Sequence, residues 1–137
     1  MKNILVCLDG SPRAPVVLAA AIDLAVARHA QLSLFRSVGL PPDVRHAETN
    51  GEELIAYLVK TATEELAKAA ATVPPTILGA AEVKVGSPWD AICAEARSRR
   101  ADVIVIGSHG YRGLDRILGT TAAKVVNHAT CSVLVVR

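Results

Sequence analysis

Val103-Ile104-Val105-Ile106-Gly107-Ser108-His109-Gly110 carries four apolar residues without interruption into a glycine-rich loop. A short continuous apolar run stopped by glycine reads as a strand buried on both faces. The N-terminus has the same form: Ile4-Leu5-Val6-Cys7-Leu8 ends at Asp9-Gly10-Ser11-Pro12, which reads as a turn followed by a helix start. The fold then depends on what lies between these strands.

From about Val16 to Arg28 the sequence is Ala-rich with helical spacing, and Pro12 and Pro15 both fit only near its first turn. Leu32 to Val38 reads as a second strand. Gly39 to Gly51, which contains Pro41 and Pro42, has no periodic pattern. Thr49 and Glu52 stand at capping-box spacing, and Ile55, Val59, Ala62, Leu66 and Ala69 then recur at helical intervals. Ala81 to Val85 alternates like a half-exposed strand, and Ser87-Pro88 offers an N-cap and first-turn proline for a helix to about Arg99. A helix from about Thr120 to His128 and a strand from Ser132 to Val136 complete the chain. Strands alternating with helices predict an α/β fold, a five-stranded parallel sheet with helices on both faces joined by right-handed crossovers. At 137 residues, without internal repeats, the chain reads as a single domain over 1–137. Ligands on such sheets bind at the carboxyl ends of strands where the winding reverses, which singles out the loops after Leu8 and Ile106.

Composition narrows the function. The chain is 51% apolar, yet it has only one Trp, two Tyr and one Phe, so the core is built from Val, Leu, Ile and Ala. The net charge is +2, and the tight basic cluster of Arg97, Arg99 and Arg100 suits the end of a helix. This speaks against nucleic acid as a partner. Cys7, Cys93 and Cys131 are odd in number and widely spaced, which predicts free thiols, a reducing compartment and a cytoplasmic protein. The run Ile4 to Leu8 is too short for a signal peptide, and no apolar run approaches membrane-spanning length.

The chemistry concentrates in Gly107-Ser108-His109-Gly110-Tyr111-Arg112-Gly113 and in Gly119-Thr120-Thr121, which opens the last helix. Glycines let backbone N–H groups approach an anion, and the first N–H groups of a helix are unpaired at the positive end of its dipole. The spacing is neither that of a P-loop nor that of a dinucleotide fingerprint, and a turn that merely needs glycine explains the loop equally well. His109 reads as a general base or as a residue bonded within the loop. Arg112 reads as a phosphate ligand or an exposed arginine, and Asp115 and Arg116 as one solvated edge. His29, His46 and His128 are scattered and form no metal-ligand cluster.

Gly107-Ser-His-Gly110, Gly113-Leu-Asp-Arg-Ile-Leu-Gly119-Thr and the ending Val133-Leu-Val-Val-Arg137, together with Asp9-Gly10-Ser11 and Gly86-Ser-Pro88, closely resemble the universal stress proteins. The resemblance implies a Rossmann-like sheet of order 3-2-1-4-5 and an ATP site. Cys7, Leu8, Asp9 and Ser37 match positions around adenine and ribose. Gly107, Ser108, His109, Gly110, Tyr111, Arg112, Gly113, Gly119, Thr120, Thr121 and Ala122 match those of the phosphate loop. Any Mg²⁺ would arrive with the nucleotide, held by phosphate oxygens and water. Three departures stand out: Gly110 and Gly119 are separated by eight residues where nine are usual, Cys7 replaces a frequent proline, and Ser37 replaces a frequent valine. Asp9 reads as a ligand of the ribose or adenine or as a helix-capping residue. By the topology that the resemblance implies, the strand Ser132–Val136 lies at an edge of the sheet without charge or proline to protect it, which reads as an edge paired with the same strand of a second copy in a homodimer or as a short bare edge covered by its own helices. The function expected is a sensory or regulatory module with an unknown protein partner in the stress response. A slow ATPase or nucleotidyl transferase, and a dimeric interaction protein without nucleotide, are the alternatives.

Overall fold

The computed structural model describes residues 1–39, 51–108 and 118–137. In chain order the elements are β1 (Asn3–Cys7), α1 (Ala14–Arg28), β2 (Gln31–Val38), α2 (Gly51–Ala71), β3 (Leu78–Val85), α3 (Pro88–Ser98), β4 (Val103–Gly107), α4 (Thr120–His128) and β5 (Ser132–Val136). All strand pairs are parallel, in the order β3-β2-β1-β4-β5. The chain winds outward from β1 to β3, then returns to the other side of β1 with β4. The winding therefore reverses between β1 and β4.

Because side chains alternate along a strand, each buried strand feeds two cores. Ile4, Val6, Leu32, Leu34 and Val105 pack with Val17, Leu18 and Ala21 of α1 and Leu66 of α2. On the opposite face Leu5, Cys7, Phe35, Ile104 and Ile106 meet Ile92 and Ala96 of α3 and Ala122 and Val125 of α4. Both faces of β1 and β4 are covered, which is why these strands are continuously apolar. No described helix is long and apolar enough to cross a membrane.

Several boundaries differ from the sequence reading. β1 stops at Cys7, leaving Leu8 just beyond it, and α1 begins at Ala14, with Pro15 in its first turn. β3 begins at Leu78, three residues before the alternation starts. The cause is Gly79: a Cβ there would stand 2.6 Å from Ser33 Oγ, which accepts a hydrogen bond from Ala80 N–H at 3.2 Å. The glycine that permits this approach also removes the side chain from the pattern. Pro88 begins α3 as expected, whereas Ser87 occupies the N-cap without a side-chain cap bond. Thr49 of the expected capping box lies outside the described residues, as do Pro41, Pro42 and His46.

Glu95 is buried on α3, with a side chain only 1% exposed. Its Oε1 accepts from Lys84 Nζ at 2.9 Å and its Oε2 from Arg99 Nε at 3.3 Å, while Arg99 Nη2 also pairs with Glu82 Oε1 at 2.9 Å. Such a carboxylate tolerates burial only with its cations in place.

The start of the central strand is pinned by Asp102, whose Oδ2 accepts from Lys2 N–H at 2.7 Å and Asn3 N–H at 2.9 Å. These backbone donors hold its carboxyl below the usual carboxylate range. A group whose pKa is depressed by folding contributes fully above its unfolded value of about 3.9 and loses that contribution as pH falls through the folded value. Asp102→Ala is therefore expected to lower Tm at pH 7. The difference from wild type should close as the pH falls below about 3.9, measured by circular dichroism melts across the range.

Candidate functional site

Where the winding reverses, the ends of β1, β2 and β4 enclose a cleft of about 240 Å³ with the starts of α1, α3 and α4. Local chemistry builds its rim. Leu8 N–H donates to Phe35 C=O at 2.9 Å, continuing the β1–β2 ladder past the end of β1. Ser108 N–H donates to Val136 C=O at 2.8 Å, and Gly119 N–H donates to Ser108 C=O at 2.7 Å. The last bond ties the start of α4 to the end of β4, so the shortened spacer still brings the two ends of the loop together. A one-residue difference in a loop of this length costs little entropy.

Gly119 is the N-cap of α4 and supplies no side chain to the first turn. The N-cap side chain therefore satisfies none of the leading N–H groups of that helix, which have no partner within the helix itself. Thr120, Thr121 and Ala122 border the cleft at this point, next to Gly107 and Ser108. Asp9 lines the same cleft. Its Oδ1 accepts from Ser11 N–H at 3.0 Å, while the N-cap of α1 is Arg13. Asp9 therefore closes a local turn and does not cap the helix.

Of the residues singled out in the sequence, Cys7, Leu8, Asp9, Ser37, Gly107, Ser108, Gly119, Thr120, Thr121 and Ala122 all line this one cleft. His109, Gly110, Tyr111, Arg112 and Gly113, with Asp115 and Arg116, lie outside the described residues. The cleft also takes in Ser11, Ala14, Val17, Phe35, Pro88, Ile92 and Ile106, which the sequence reading did not select. Their one available signal was position: Phe35 shares a strand face with Ser37, and Pro88 opens a helix at the same end of the sheet.

The lining is mixed: Ser11, Ser37, Ser108, Thr120 and Thr121 bring hydroxyls, Gly107 and Gly119 bring bare backbone, and Cys7, Phe35, Pro88 and Ile92 are among its apolar members. Cys7 is apolar electrically as well, because burial pushes its thiol far above the usual range and keeps it neutral. Cys7, Cys93 and Cys131 are all free. Among the described residues no group of three or more His, Cys, Asp or Glu side chains is placed to hold a metal ion. The arrangement suits a ligand with an apolar, flat body and an anionic end.

The profile of the Universal stress protein family matches residues 1–137. The chain belongs to the universal stress protein family. It is 30% identical over 138 residues to Universal stress protein A homolog 1 of Coxiella burnetii, with 98% of this chain and 95% of the relative covered. Among solved universal stress proteins, UspA from Lactobacillus plantarum superposes with a TM-score of 0.82 at 27% identity, covering 99% of this chain and 97% of that one. The Archaeoglobus fulgidus universal stress protein in complex with dAMP superposes with a TM-score of 0.70 at 24% identity, covering 100% of this chain and 98% of that one.

Proposed function

We propose that this universal stress protein binds ATP in the cleft and acts in the cytoplasm as a homodimeric regulatory module whose nucleotide occupancy is read by a protein partner. The observation that carries the reading is the make-up of the cleft: at the winding reversal the carboxyl ends of β1, β2 and β4 share one cavity with the N-terminus of α4, whose N-cap is Gly119. In this reading the base lies beside Cys7, Leu8 and Ser37, the ribose meets Asp9, and the phosphates meet Gly107, Ser108 and Gly119 to Ala122 together with the Gly110 loop. The family relative in complex with dAMP supports an adenine nucleotide as the ligand class. ATP is preferred because the phosphate end combines a helix terminus with a glycine-rich loop of seven residues from Gly107 to Gly113. Mg²⁺ would be held by the phosphate oxygens and water, with Asp9 the one carboxylate on the cleft among the described residues.

The alternative, a slow ATPase or nucleotidyl transferase, is tested separately by a steady-state phosphate-release assay with ATP. The test of binding is to denature freshly purified protein and identify the released small molecules by mass, then titrate the nucleotide-free protein with ATP by calorimetry. ATP in the extract and saturable binding are expected. Protein that carries no nucleotide and takes none up in the titration would leave the dimeric interaction protein as the function.

A further inference from the structure

We propose that Glu95 is a positioning residue for the nucleotide cleft, holding the α3 wall in place from outside the cleft; the assignment rests on the nucleotide reading above. Pro88, Ile92, Glu95 and Arg99 follow one another at intervals of four, three and four residues, so they share one face of α3 and its C-cap. Pro88 and Ile92 line the cleft. Glu95 and Arg99 belong instead to a closed ring of charges. Glu95 Oε1 accepts from Lys84 Nζ at 2.9 Å, and Lys84 Nζ stands 3.8 Å from Glu82 Oε2. Glu82 Oε1 pairs with Arg99 Nη2 at 2.9 Å, and Arg99 Nε returns to Glu95 Oε2 at 3.3 Å. Acid and base alternate around this ring, which joins the edge strand β3 to α3.

The ring stands where apolar packing gives out. α1 and α2 have no part there: α3, β1, β2 and β3 border a second cavity of about 280 Å³, lined by Asn3, Gln31 and Ser33 as well as by the four charged residues. Glu82 and Lys84 are exposed, whereas the Glu95 carboxylate is buried. Both cations reach that carboxylate only while α3 keeps one position against β3, and a fully satisfied buried polar network fixes geometry in this way. An α3 released from the ring samples positions in which Pro88 and Ile92 no longer complete the cleft. Apparent affinity then falls in proportion to the fraction of molecules whose wall is still in place. Trp89 reports on that wall. It is the sole Trp, it follows Pro88 in the first turn of α3, and it packs on α4, with its ring 4.4 Å from that of His128 and 6.0 Å from Lys124 Nζ.

The experiment titrates ATP by calorimetry into wild type, Glu95→Gln, Lys84→Met, the double variant and Asp102→Ala, each verified as folded by circular dichroism. Acrylamide quenching of Trp89 fluorescence is read on the same proteins without nucleotide. Glu95→Gln keeps the shape but offers one accepting atom where the carboxylate offers two. Glu95→Gln and Lys84→Met are expected to bind ATP about three- to tenfold more weakly than wild type, and the double variant within about twofold of Glu95→Gln, because both act on one network. Trp89 should be quenched more steeply in all three. Asp102→Ala loosens β1 at the end away from the cleft, so it should lower Tm and leave affinity and quenching at their wild-type values, which separates positioning from general stability. Wild-type affinity in Glu95→Gln, a weaker affinity with unchanged Trp89 quenching, or an equal loss in Asp102→Ala overturns the assignment and leaves nucleotide binding standing. If wild type takes up no ATP, the nucleotide reading falls and the assignment with it.

Discussion

Replacing Gly119 with valine is expected to weaken ATP binding at least about 100-fold while leaving the sheet intact, a loss equal to one or two charge-assisted hydrogen bonds. Gly119 has φ −61° and ψ 157°, an extended conformation that a β-branched residue adopts without strain. Its backbone bonds, N–H to Ser108 C=O at 2.7 Å and C=O to Ala123 N–H at 2.9 Å, need no particular side chain. What valine adds is bulk at the entrance to the uncapped first turn of α4, where an anion must come within hydrogen-bond distance of backbone donors. Gly119→Ala should show a smaller loss, because one methyl fills less of that approach. Calorimetric titration with ATP checks the affinity, and far-UV circular dichroism with a thermal melt checks the fold. Native melting with unchanged affinity would remove the α4 terminus from the site.

The strands that position the cleft are legible because burial on both faces leaves a continuous apolar run, as in Ile4 to Cys7 and Val103 to Ile106. The order of strands is not contained in that pattern. It came from the resemblance, and the sheet has the same order. The first half of β3 was hidden because Gly79 withdraws its side chain to admit Ser33. Glu95 was hidden for a different reason: it looks like a solvated helical position, and only the arrival of Lys84 from β3 and Arg99 from the next turn makes its burial affordable. The cleft divides the same way. Asp9, Gly107 and Gly119 stand out because turns and helix starts require particular chemistry, whereas Val17, Phe35 and Ile92 look identical in sequence whether they face a neighbouring helix or a cavity.

The Val135→Pro variant is expected to be a folded monomer at micromolar concentrations at which wild type is dimeric. β5 is the last strand of the sheet on its side. Val136 C=O points toward β4, accepting from Ser108 N–H at 2.8 Å. Backbone groups alternate in direction along a strand, so Val133 and Val135 turn their N–H and C=O groups to the edge that no described strand pairs with. Charge and proline, the usual protection of such an edge, are absent from Ser132 to Val136, and Leu134 is 40% exposed. A second copy related by a twofold axis supplies a complementary edge, with the two β5 strands antiparallel. Proline at Val135 removes an outward donor from each copy while its fixed φ remains compatible with an edge strand. Two lost hydrogen bonds of about 1 kcal/mol each raise the dimer dissociation constant at least about 30-fold. Leu134→Lys acts independently by bringing two like charges together near the axis. Sedimentation velocity gives the mass, and circular dichroism reports whether the sheet persists. A wild type that is monomeric at micromolar concentration, or a Val135→Pro variant that remains folded and fully dimeric, would show that β5 does not form the interface.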